Sequence, residues 1–204
     1  WQEWLNRRFR KPLPLFYLYE LGINRTRSLL ILKILSCIVL LATFALMDGA
    51  YDVRAVLTGL LFCTLLHTIV IFDHRHFEDQ YLAFTRNLSI PLWKRYVSLS
   101  ITYGGLLLPE CGLLIIHTLP HNPWHWMMLM VFGISVLQLF RCLLYFPRLD
   151  QDKYLRWVFL CFCVLLFMCL GHIYGWAILL VQCAAFPLFV TRYYRYEPAY
   201  EQVQ

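Results

Sequence analysis

The 204 residues are 60% hydrophobic, 17% aromatic and only 15% charged, which leaves too little polar surface for a water-soluble domain of this size. The net charge of +6 requires no nucleic acid, because an anionic membrane leaflet attracts the same lysines and arginines. The expected fold class is an all-α polytopic membrane protein of six transmembrane helices preceded by an interfacial helix; a β-barrel would need short alternating segments, which this sequence lacks.

The chain begins on Trp1 rather than Met, so residues ahead of it are expected, and no cleavable secretory signal is recognisable. Segment 1–28 is expected to lie in the membrane interface. Trp1, Trp4, Leu5 and Phe9 share one helical face, Arg7, Arg10 and Lys11 lie off it, and Arg8 is on its edge. After Pro12 and Pro14, the rings of Phe16, Tyr17 and Tyr19 suit headgroup depth, and further arginines close the segment.

Apolar runs at 29–47, 53–72, 97–119, 124–146, 155–170 and 173–190 form the predicted spans, each near the ~20 residues that cross a ~30 Å hydrocarbon core. Between Arg156 and Arg192 no fixed charge interrupts the chain, too long a stretch for one helix, so Gly171 and Gly175 in "GHIYGW" are expected to mark a tight hairpin. With the N-terminus in the cytoplasm, nearly all the lysine and arginine lies in segments 1–28, 73–96, 147–156 and 191–204 or within a turn or so of the cytoplasmic membrane boundary, as Lys33 and Arg141 do, leaving Arg54 as the exception. That asymmetry predicts both termini inside.

Cys37, Cys63, Cys111, Cys142, Cys161, Cys163, Cys169 and Cys183 all fall within predicted spans and read as small hydrophobes. His117, His121 and His125 are four apart, as ligands on a helix face would be, but Pro120 and Pro123 interrupt that helix. No metal site is expected, and Trp124 and Trp126 mark an interfacial belt. His67 and Arg141 lie near the inner ends of their spans, where snorkelling accounts for Arg141.

Glu110, in "LLLPECGLL", lies within the third span, where a lone carboxyl is costly whether charged or protonated; Pro109 just before it removes one backbone hydrogen bond and is expected to kink the span, while Gly112 allows close helix approach. Two roles fit. It faces a dimer interface or transport path and contacts a cationic or polar part of the cargo, or it is protonated and hydrogen-bonded to Gln138 or Gln182.

The longest polar interruption is "HFEDQYLAFTRNLSIPLWKRY", residues 76–96. Phe77, Tyr81, Phe84 and Leu88 recur at intervals of four, three and four, predicting a helix over 76–88 with one apolar stripe. Glu78 and Asp79 complement the start of the helix dipole, Arg86 its end, and Pro91 stops it. The stripe must be buried against lipid or a partner, and the acidic start favours a partner.

This order of elements resembles the permease subunits of ABC exporters. The stretch "FEDQYLAFTRNLSIPLWKR" is similar to that family's coupling region: an acidic start, a short helix, a phrase like "LPIS", then basic residues and the next span. The resemblance implies that Phe77, Glu78, Asp79, Tyr81, Phe84, Arg86 and Leu88 dock on a separate ABC-type ATPase, which holds ATP and Mg. It further implies a second permease copy or sister subunit and a bacterial inner (plasma) membrane. The chain itself is expected to be no enzyme and to bind no cofactor: it has no "GxxxxGK[ST]" cradle and no soluble segment long enough for an ATPase domain. It departs from the family in reading "SIP" rather than proline first, and in having no room for an external insertion between the last two spans. Two other classes compete, a non-catalytic scaffold and a lipid-modifying enzyme built on Asp73, His74, His76, Glu78 and Asp79.

Overall fold

The computed structural model describes residues 13–47, 51–82, 88–146 and 150–193. Among them there are nine helices and no strand: α1 Leu13–Asn24, α2 Thr26–Leu46, α3 Val53–Leu66, α4 Thr68–Tyr81, α5 Leu92–Leu106, α6 Leu108–Thr118, α7 Pro123–Leu143, α8 Gln151–Leu170 and α9 Tyr174–Arg192. The protein is an all-α polytopic membrane protein. Helices α2, α7, α8 and α9 are each long and apolar enough to cross a bilayer, and there are six candidates when the bent pairs α3–α4 and α5–α6 each count as one. A helix of 21 residues such as α2 is about 31 Å long, matching the hydrocarbon core.

The apolar runs at 53–72 and 97–119 are continuous in hydropathy, yet both are broken, the second next to Pro109, where a kink is expected. The first bends by 40° at His67 and the second by 68° at Leu107. Pro109, just beyond Leu107, has no N–H to continue the ladder, which explains the sharper bend. At His67 the imidazole Nδ1 folds back 2.7 Å from the Cys63 carbonyl, which also receives the His67 backbone N–H at 3.2 Å.

Helix α7 is the axis of the bundle, packing against α3, α4, α5, α6, α8 and α9. Its core residues Phe132, Val136, Leu137 and Phe140 are fully buried. By contrast only 11% of the α2 apolar window is buried, and Leu30, Ile31, Ile34 and Ile38 face outward, as a lipid-facing helix requires. The exposed apolar side chains of α8 and α9 have the same cause.

Helix α1 packs on α5 and α2, burying Tyr17 and Leu21. Gly105 permits that approach, since a Cβ there would meet Leu18 Cδ1 at 2.6 Å. Residues 1–12, with the predicted stripe of Trp1, Trp4, Leu5 and Phe9, lie outside the described residues.

The α8–α9 hairpin forms where expected, but a histidine makes the turn. His172 adopts φ 63°, and the Ile173 N–H reaches back to the Met168 carbonyl at 3.1 Å, the long hydrogen bond of a Schellman cap. His172 Nε2 sits 3.0 Å from Arg54 Nη1. Arg54, the one cation out of place in the charge pattern, is neutralised by Asp52 at 2.7 Å. Basic residues otherwise converge at the opposite end, where contacts bring Arg25, Arg75, Arg95 and Arg141 together with α1 and Tyr193.

Candidate functional site

Both helix breaks meet at one point. Lys33 of α2 places its ammonium 2.9 Å from each Glu110 oxygen, 2.7 Å from His67 Nε2 and in hydrogen-bond contact with the Leu106 carbonyl. Ser36, one turn along α2, donates its hydroxyl to Glu110 Oε1. The Glu110 and His67 side chains are fully buried, and only Lys33, at 14%, retains any exposure. Each break contributes. At Leu107 the α5–α6 break leaves the Leu106 carbonyl to Lys33, and at His67 the α3–α4 break puts an imidazole in the wall.

With Lys33 charged, hydrogen-bond chemistry fixes the His67 tautomer. A carbonyl only accepts, so His67 Nδ1 must donate to Cys63 O; an ammonium only donates, so Nε2 must carry a lone pair. His67 is therefore neutral beside a Lys33–Glu110 ion pair, and the cluster carries no net charge. The three ammonium hydrogens match three acceptor groups: the carboxylate, the Leu106 carbonyl and the imidazole. Cys63 completes the wall by donating its thiol to the Ser36 carbonyl at 3.3 Å.

A second ionic cluster lies at the end where the arginines gather. Glu78 of α4 binds Arg141 of α7 and lies 3.5 Å from His74 Nε2, while Arg75 reaches Asp79 at 3.1 Å. Two guanidiniums lie over the Tyr145 ring, Arg75 at 4.8 Å and Arg141 at 5.4 Å from its centre. Tyr17 of α1 stacks on His74 at 3.9 Å and donates its hydroxyl to the Val70 carbonyl at 2.7 Å; burial raises its phenol pKa, so it stays neutral. Outside this cluster, Asp73 holds the Arg25 guanidinium above its usual pKa. Across the chain turn, Arg95 donates to Tyr193 Oη at 2.6 Å, to Leu88 O at 2.8 Å and to Ile90 O at 3.3 Å. Between these groups a cavity of about 50 Å³, lined by Tyr17, His74, Glu78, Arg95 and Tyr193 among others, has room for a few waters and not for a cargo molecule.

The predicted site residues divide. Over 76–81 the predicted helix is the continuation of α4 rather than a separate element, and α4 ends at Tyr81 with Leu82 as its cap. Phe77 is buried against Tyr17, at 5.6 Å between ring centres, so it is unlike the docking surface expected of it. Glu78 and Asp79 are likewise turned onto arginines of the bundle. Tyr81 and Leu88 are exposed, 64% and 44%. Phe84 and Arg86 lie outside the described residues.

Glu110 meets neither glutamine. Gln138 donates to Ser100 at 2.6 Å and Gln182 pairs with Ser135 and Tyr96, both at other levels of the bundle. Its partners are Lys33, Ser36 and His67. Lys33 is the partner that the sequence did not single out: it is the only charge inside "LLILKILSC", but its place within a turn or so of the membrane boundary already accounts for a lysine there. Arg141 does not snorkel: its side chain is fully buried on Glu78.

At the other end the three histidines spread over aromatic rings. His117 stacks on Phe44 at 4.1 Å, and His121 and His125 flank Tyr51 at 4.7 and 5.6 Å. Among the described residues no group of three His, Cys, Asp or Glu side chains is arranged to hold a metal. Comparison with protein-family models, curated proteins and solved structures returns no match to this chain.

Proposed function

We propose that this chain is the membrane-spanning permease subunit of an ATP-driven exporter of the ABC class, one half of a dimeric path in a bacterial inner membrane with both termini in the cytoplasm. On this reading a separate ATPase docks on the connection between α4 and α5 and drives the bundle from there.

One observation carries the reading: both roots of that connection are tied to distant helices. On the α4 side, Glu78 is bound to Arg141 of α7 and Phe77 is packed on Tyr17 of α1. On the α5 side, Arg95 holds Leu88 and Ile90 to Tyr193, next to α9. A push on the connection therefore moves α1, α4, α5, α7 and α9 together, which is what a transmission element has to do. The coupling is as large as the difference in docking energy between two states of the partner.

The roles of the residues divide accordingly. Phe77 and Glu78 anchor the connection to the bundle, and Asp79 pairs with Arg75 within α4. Tyr81 and Leu88, the exposed members of the stripe, offer apolar surface to the partner, with Phe84 and Arg86 between them in sequence.

The test is purification in mild detergent with and without Tyr81→Asp, identifying copurifying proteins and measuring ATP hydrolysis. An ATPase subunit that accompanies the wild type and is lost with the aspartate supports the reading. A crosslinked sample with no ATPase in either preparation overturns it in favour of a non-catalytic scaffold.

A further inference from the structure

The Lys33 cluster contains more than an ion pair needs. A buried pair is often replaceable by apolar side chains of similar volume without loss of stability, so its retention calls for another use. Here two helices are broken, a carboxylate is fully buried and an imidazole is held by Cys63 O in the tautomer that accepts, all directed at one nitrogen. An ionisable group within a membrane span is by default a functional-site hypothesis, and discontinuous helices are a recurring way to build such sites.

The acceptors and their occupant differ in mobility. Glu110, His67 and Ser36 are fully buried and fixed by their helices. Lys33 hangs on a flexible four-carbon stem from α2, the most lipid-exposed helix, and alone keeps some exposure. It is the one member that can leave while the rest stays built. The acceptor set is also selective by chemistry. A carboxylate, a carbonyl and an imidazole lone pair receive three N–H bonds from a primary ammonium, whereas a quaternary ammonium has no N–H to give.

We infer that Glu110, His67 and the Leu106 carbonyl form a primary-ammonium site, occupied in the resting protein by Lys33, from which the amine head of an amphiphilic ligand displaces it. The inference stands apart from the exporter reading, since it requires neither an ATPase nor a dimer. Lys33 keeps the site neutral and dry when empty of ligand, and an incoming ammonium preserves that charge balance as the lysine swings toward the membrane surface.

Two experiments test it. In Lys33→Ala the site is vacant; methylammonium chloride should raise the thermal midpoint of the detergent-solubilised variant by several degrees, and tetramethylammonium chloride at equal concentration should not. The double variant Lys33→Ala/Glu110→Gln should respond to neither salt. Equal effects of the two salts, or none on folded Lys33→Ala, overturn the site. In the wild-type protein, a long-chain primary alkylammonium carrying a diazirine should photolabel peptides from 26–46 and 108–118. That labelling should fall severalfold with methylammonium and in Glu110→Gln, while labelling of α8 and α9 stays constant. Labelling unaffected by either change, or reduced equally by tetramethylammonium, shows that Lys33 is a permanent occupant and refutes displacement.

Discussion

The two ionic clusters use the same chemistry in different surroundings. At Lys33–Glu110 the carboxylate is fully buried and every acceptor is supplied by the protein; two helices are broken to supply them. At Arg141–Glu78 the arginine is equally buried, but 26% of the Glu78 side chain stays exposed, close to a cavity with room for water, and α4 runs through without a break. Far from water, an ion pair must be enclosed by backbone and side chains together. At the partly exposed Glu78, solvent has access to what the protein leaves open.

That contrast is broken most forcefully at Lys33. Lys33→Met leaves Glu110 buried without a cation, and unfolding in detergent should show a loss of about 3–5 kcal/mol. Adding Glu110→Leu should recover most of it, because an apolar pair removes the uncompensated charge. A double variant no better than the single would mean that Lys33 and Glu110 do not act as a pair.

Glu78→Ala should fall at the low end of the same range, about 3 kcal/mol, because water can enter where the carboxylate stood and reach Arg141. A loss larger than that of Lys33→Met would reverse the contrast between the two clusters.

A smaller effect isolates the packing between α2 and α3, which carry part of the first cluster. Gly59 lets α3 approach α2, and a Cβ there would meet Thr43 Oγ1 at 2.4 Å. Gly59→Ala should destabilise by about 1–3 kcal/mol, the usual range for overpacking, and Thr43→Ala should relieve it. No relief would place the strain elsewhere.

The smallest effect belongs to Asp52, which caps α3 and is held below the usual carboxylate pKa by hydrogen bonds from the Arg54 side chain and backbone. A carboxyl whose folded pKa is depressed adds stability that is present above its unfolded pKa, near ~4, and is lost as pH falls through the folded value. The wild type should therefore exceed Asp52→Asn in thermal midpoint at neutral pH, by a small margin that shrinks below pH ~4. A margin independent of pH would assign Asp52 a purely geometric role.

Membrane class and apolar runs were legible because lipid imposes length and hydropathy on any helix that crosses it. Arg54 was legible as an exception, and its remedy two residues earlier, Asp52, is local in sequence. The partners of Glu110 were not: Lys33 is 77 residues away and Ser36 74, and Gln138 looked as suitable as either. The breaks at His67 and Leu107 were masked by continuous hydropathy, since a broken helix can be as apolar as a straight one. Pro109 gave notice of only one of them.

The same division holds in the 76–88 stretch. Periodicity marked Phe77, Tyr81 and Leu88 as one apolar stripe, yet the fold buries Phe77 on Tyr17 and leaves Tyr81 and Leu88 outside. By itself, the sequence determined an all-α membrane chain with its cations gathered toward one end, because those properties follow from the solvent each residue must face. Only the tertiary structure decided which charges meet. A buried charge must find its complement in space, and between helices the complement comes from whichever neighbour the packing brings alongside.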